Sequence, residues 1–93
     1  MTDPFYDRAA ALALQLDGVW LNATQSGRPG IHLTSTRDLT RCARELAAVY
    51  QSVGWRVDDL RFPTPLVPTA RMTVLNEIDR QCPVEIAAGK ADE

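Results

Sequence analysis

Lysine is nearly missing from this chain: nine of its ten basic residues are arginine, and the one lysine is Lys90. A phosphate-binding loop of the Walker type needs Gly-Lys-Ser/Thr between a strand and a helix, and no such triplet exists here. Histidine is equally scarce. His32 stands alone, so no pair of imidazoles is available to a metal, and no Ser/His/Asp or Cys/His arrangement is suggested by spacing. Cys42 and Cys82 are the two cysteines, with no CxxC, and with one histidine they do not complete a structural zinc site. Both fall on apolar faces of expected helices, where a free thiol behaves as a small buried hydrophobe. No apolar run approaches the roughly 18 residues of a membrane helix. The amino-terminal stretch "MTDPFYDRAA" has no basic segment followed by an apolar core, so no signal peptide is expected and the expected location is cytoplasmic.

What is present fits a globular chain. Hydrophobic residues make up 45% and charged residues 24%, which separates it from disordered sequences, and 93 residues suffice for one domain and no more. The formal net charge of -2 gives no long-range attraction to nucleic acid or anionic lipid, so any such binding needs a local basic patch.

Local signals divide the chain. Asp3-Pro4 starts a helix, an acceptor at the cap followed by proline at the first helical position, and Phe5, Ala9, Leu12 and Leu16 continue it at helical spacing over roughly 4 to 16 until Gly18. "VWLNAT" and "IHLTS" alternate as two short strands. Between them "QSGRPG" is turn chemistry of hairpin length. A KH-type GXXG loop joins two helices, whereas Gly27-Arg28-Pro29-Gly30 joins two strands and contains proline, so it is read as a turn.

The segment "STRDLTRCARELAAVYQSVG" carries an S-x-x-D capping box at Ser35 and Asp38, an apolar stripe of Leu39, Cys42, Leu46, Val49, Tyr50 and Val53, and Gly54 at the end. "WRVDDLRF" reads as a third strand with a bulge or early end at Asp58-Asp59, and the three prolines of "PTPLVP" make it a rigid crossing segment. Met72, Leu75, Ile78 and Cys82 recur at helical spacing between Thr69 as cap and Pro83 as stop, so residues 69–82 are expected to form a third helix, against the β-branched Thr73 and Val74. "PVEI" can add a short edge strand. The expected architecture is α+β, one domain over residues 1–86 in the order α-β-β-α-β-α, with helices on one face of a three-stranded sheet made of the hairpin plus one strand; residues 87–93 are expected to be a disordered tail.

Two surfaces deserve test. If Val19, Leu21, Ile31 and Leu33 face the helices, then Trp20, Asn22, Thr24, His32 and Thr34 occupy the other side of the hairpin, and an exposed tryptophan there marks an interface; a one-residue slip instead puts Trp20 and Trp55 in the core. The pattern resembles no RNP motif. Arg37, Arg41 and Arg44 follow i, i+4, i+7 opposite the apolar stripe, either as an anion-binding row or as a solvated face with Asp38 and Glu45 pairing to Arg41. His32 by itself suggests a surface histidine. Asp58 and Asp59 point to opposite faces of a strand and cannot converge on one ion, and "NAT" at Asn22 is a chance match to a glycosylation acceptor. The expectation is therefore a non-catalytic domain, with neither cofactor nor metal, that binds a protein partner through the sheet face or the arginine row, a homodimer through that face included. The competing class is a nucleic-acid module using Arg28, Arg37, Arg41 and Arg44, and a distant third is an enzyme using His32.

Overall fold

In a computed structural model describing residues 3–22 and 29–89, two helices and five strands follow the order α-β-β-α-β-β-β. They are α1 (Pro4–Ala13), β1 (Val19–Leu21), β2 (Ile31–Ser35), α2 (Leu39–Ser52), β3 (Arg56–Arg61), β4 (Ala70–Leu75) and β5 (Gln81–Ala88). The sheet is mixed, in the order β1-β2-β5-β4-β3, with β2 and β5 parallel and every other pair antiparallel. Among the described residues no helix is long and apolar enough to cross a membrane.

The expected third helix is a strand, a turn and a second strand, so the sheet has five strands and not three. The helical spacing of Met72, Leu75, Ile78 and Cys82 was a coincidence of two period-two patterns. Ala70, Met72 and Val74 are buried on β4, as are Cys82, Val84 and Ile86 on β5, while Ile78 stands exposed in the turn between them. Turn chemistry explains the break. The Asn76 side chain accepts from the backbone N–H groups of Ile78 and Arg80, and Asp79 takes a positive φ of 59°, a conformation aspartate tolerates better than most residues. "PVEI", expected at an edge, lies in the centre of the sheet. Pro83 is accommodated because the parallel ladder to β2 begins one residue later, at Ile31 and Val84. β5 extends to Ala88, two residues into the stretch expected as tail, and residues 90–93 lie outside the described part.

Both helices follow their local signals with shifted ends. Asp3 caps α1 by accepting from the Phe5 N–H, and the helix stops at Ala13, short of Leu16. The cap of α2 is Asp38, whose carboxylate accepts from Thr40 and Arg41, while Ser35 accepts from the Arg37 N–H outside the helix; the expected capping box is thus a single-residue cap. Gly54 follows α2 with φ +87°.

One apolar cluster joins the helices to the sheet. Phe5, Ala9 and Leu12 of α1 and Cys42, Leu46 and Tyr50 of α2 pack with Val19, Ile31, Leu33, Met72, Val74, Val84 and Ile86, the alternate residues of the strands. Leu21, on the same side by alternation, is 52% exposed at the end of β1. The buried Tyr50 hydroxyl donates to the Ala9 carbonyl oxygen at 2.8 Å and ties the helices together. Burial raises its pKa far above the ordinary phenol value. Cys82 lies on a strand and not on a helix; both thiols are free and buried, and burial pushes that of Cys82 up to about 12, which leaves it protonated and unreactive.

Arg80, in the β4–β5 turn, clamps the start of α1. Its guanidinium pairs with the Asp3 carboxylate through both terminal nitrogens and lies over the rings of Phe5 and Tyr6. That hydrogen bond, ahead of every other influence, holds the Asp3 carboxyl below its ordinary value of 3.8. A depressed folded-state pKa contributes stability above the unfolded value and loses it as pH falls through the folded one. In Asp3→Asn, which keeps a cap acceptor, the Tm deficit relative to wild type should hold steady from about pH 7 to about pH 5 and shrink below about pH 4. A deficit that persists unchanged in acid would mean that the Asp3 charge contributes nothing.

Candidate functional site

The strand residues that point away from the apolar cluster form the second face of the sheet. Trp20 on β1 is half-buried there and sits opposite Thr34 on β2, so the tryptophans have separate places: Trp55 is in the core, against Phe5 and Tyr50, and Trp20 is not. Thr34 in turn neighbours Ala87 on β5. A second row crosses four strands, from His32 on β2 to Glu85 on β5, Arg71 on β4 and Arg61 on β3, each opposite the next. At about 4.8 Å between strands the row is about 14 Å long.

This row was not visible in the sequence beyond His32, because its members come from strands up to about fifty residues apart and the strand that carries Arg71 was expected as a helix. A cavity of about 380 Å³ opens over it, lined by His32, Glu85, Arg71 and Arg61 with Asp59 and Thr73. Glu85 is held in place from two sides. One carboxylate oxygen lies 3.4 Å from His32 Nδ1, and the other accepts from the Thr69 hydroxyl at 3.1 Å. His32 is therefore not a freely solvated surface residue, and its Nε2 is buried with no hydrogen-bond partner among the described residues.

The two arginines of the row differ from three others in the protein. Arg56, on the same face, meets Asp58 and Asp79; Arg37 meets Glu45; Arg80 meets Asp3. Among the described residues neither Arg61 nor Arg71 has an ion-pair partner, although they stand directly opposite each other on adjacent strands. Like charges in that position repel and are destabilising unless something neutralises them.

A second cavity, of about 490 Å³, lies between the start of α1 and the β4–β5 turn, beside Phe5, Trp55, Ile78 and Arg80. It is the larger of the two, but its arginine already holds Asp3 and its aromatic rings already pack on one another. The sheet-face cavity is the stronger candidate because its charged groups are left facing each other.

The arginine row expected on the second helix is dispersed. Arg37 precedes the Asp38 cap and so is not on α2; it donates to Glu45 at 2.6 Å and also to the Asp17 carbonyl. Arg44 lies over the Phe62 ring at 5.1 Å, and Arg41 is exposed. Asp38 and Glu45 serve as cap and as partner of Arg37, not as partners of Arg41. Arg28 and Thr24 lie outside the described residues, as does the turn over residues 23–28, although the strands flanking it pair as an antiparallel hairpin. The alternation expected to put Asp58 and Asp59 on opposite faces is broken: the register shifts between Asp58 and Arg61, Asp59 has φ +53°, and Asp59 lines the sheet-face cavity on the side where Asp58 pairs with Thr73. Among the described residues no three of histidine, cysteine, aspartate and glutamate come together to hold a metal ion. No protein-family model matches the chain, and the curated proteins likewise yield no match.

Proposed function

We propose that this domain binds another protein through the face of the sheet turned away from its helices. The observation that carries the reading is the distribution of side chains on that face. Trp20 stands at one side, the His32–Glu85 pair with Thr34, Ala87, Thr73 and Pro83 occupies the middle, and Arg61 and Arg71 stand at the other side beside a cavity. Tryptophan and arginine dominate interface energetics, and small residues between them let a partner approach the sheet closely. A nucleic-acid module built on Arg37, Arg41 and Arg44 has less support, since Arg37 and Arg44 are engaged within the chain. Catalysis by His32 would need an exposed ring nitrogen, and its Nε2 is covered.

The test compares proteins captured on immobilised wild type with those captured on Trp20→Ala, Thr73→Arg and Arg41→Ala, each confirmed as folded by circular dichroism. A protein retained by wild type and by Arg41→Ala, and lost from the two sheet-face variants, is the expected result. Loss with Arg41→Ala alone would move the binding surface to α2. Light scattering on the same proteins separates a self-associating form, in which Trp20→Ala converts a dimer to a folded monomer. If a labelled single-stranded oligonucleotide binds instead, and binding falls steeply between about 50 and about 200 mM salt, the partner is nucleic acid and the protein-binding reading fails.

A further inference from the structure

We propose that Arg61 and Arg71 form a carboxylate-binding site that takes an aspartate or glutamate side chain from an acidic segment of the partner. The inference rests on the sheet face being the binding surface and adds the chemistry of what is bound there.

The first support is the register of β3. Arg56, Val57 and Asp58 pair with Leu75, Val74 and Thr73 in one frame, and Arg61 pairs with Arg71 in a frame shifted by one residue. Val57 and Leu60 both pack against the core, although three positions separate them and an unbroken strand would place them on opposite faces. Asp59, at φ +53°, is the extra residue. Without it Leu60 would turn toward the cavity and Arg61 toward the helices. The bulge thus re-aims Arg61 so that it stands beside Arg71, a use to which bulges are put at functional sites. It does so with a non-glycine residue in the left-handed region, which aspartate reaches more readily than most residues.

The second support is charge. Two guanidinium groups on neighbouring strands repel each other, and each is a planar fork suited to the two oxygens of a carboxylate. Of the carboxylates on that face, Glu85, opposite Arg71, also meets His32 and Thr69, Asp58 meets Arg56, and Asp59 lines the cavity. A bound carboxylate would give the two guanidiniums the bidentate contact that, among the described residues, no ion pair gives them. Glu85 and Asp59 in the same cavity wall favour one single negative charge over a doubly charged phosphate, which they would repel more strongly. At about 380 Å³ the cavity is at the small end of ligand sites and matches a single side chain better than a large cofactor.

The test follows the arginine Nε–H signals of the protein by NMR during titration with a capped tetraglutamate peptide, a capped tetraglutamine peptide and inorganic phosphate at matched ionic strength. Saturable shifts at Arg61 and Arg71 with tetraglutamate, absent with tetraglutamine and at least about tenfold weaker with phosphate, are expected. Arg61→Gln and Arg71→Gln should each weaken tetraglutamate binding about tenfold, Arg61→Lys should lose less because it keeps the charge without the fork, and Arg56→Gln should leave binding unchanged. Arg61 is exposed, so these variants should keep the wild-type circular dichroism spectrum. Shifts that do not saturate, equal response to phosphate, or an equal loss in Arg56→Gln would each overturn the site. These probes need no partner, so the two readings can fail separately. Capture through the sheet face without a tetraglutamate response sinks the carboxylate site alone, and a tetraglutamate response with capture indifferent to the sheet-face variants sinks the binding surface.

Discussion

Gly30→Ala should lower stability by about 3–5 kcal/mol, a third or more of what a domain of this size usually has. Gly30 has φ +93°, and a Cβ added there would lie 2.3 Å from the Pro83 carbonyl oxygen and 3.0 Å from its carbonyl carbon. Both are backbone atoms of the central strand β5, so the neighbour cannot move aside as a flexible side chain would. The strain falls where the parallel β2–β5 ladder starts, one residue before Ile31 meets Val84. His32 and Glu85 are the next pair in that ladder, so the variant should also disturb the sheet-face cavity. Gly54→Ala is the control. Its φ of +87° is as unfavourable, but nothing lies within 4 Å of the added atom, and its cost should stay at about 1–2 kcal/mol. Urea midpoints with unchanged slopes measure both. Equal losses at the two positions would show that the contact with Pro83 is relieved by relaxation.

Trp55→Ala should cost a comparable amount, about 3–5 kcal/mol, and lower Tm by well over ten degrees. Trp55 stands at the junction of α2 and β3, 7% exposed, edge-on to Phe5 at 5.1 Å and stacked on Tyr50 at 5.8 Å. Removing it takes away apolar burial and leaves a void between the start of α1 and the end of α2, where neither helix can close in without losing the Tyr50 hydrogen bond to Ala9. Trp20→Ala should cost much less, because Trp20 is half-buried on the other face and outside the core cluster. Thermal unfolding of the two variants side by side separates a structural tryptophan from one free to serve an interface. Similar losses would place Trp20 in the structural core after all and weaken the case for its face as a binding surface.

Both helices and the strands of the hairpin were legible because each is decided by neighbours in the chain. Asp3-Pro4 provides an acceptor and a preset φ at the start of α1. The apolar stripe of α2, which buries Cys42, Leu46 and Tyr50, needs no knowledge of what it packs against. The Asp58-Asp59 irregularity could be read from the change of alternation, whereas the period of two left the face of Trp20 open between two registers. Residues 69–82 were misread because apolar residues at both periods coexist there, and the choice between them depends on partners. Val74 and Cys82 face each other only once the Asn76–Arg80 turn has closed, and β5 becomes a central strand only when β2, some fifty residues earlier, pairs with it.

The candidate site depends on tertiary structure almost entirely. Arg61 and Arg71 are unremarkable in sequence, and the row suggested by spacing, Arg37, Arg41 and Arg44, is broken by where the Asp38 cap falls and by the partners Glu45 and Phe62. The α+β class, the hairpin and both helices follow from the sequence alone, because capping, turn chemistry and periodicity act over a few residues. Long-range pairing settled that residues 70–75 and 81–88 are strands, that Trp55 is core while Trp20 is not, and that Arg61 and Arg71 stand opposite each other. Strand pairing joins residues far apart in sequence, and one extra residue in a strand reverses the face of every side chain after it.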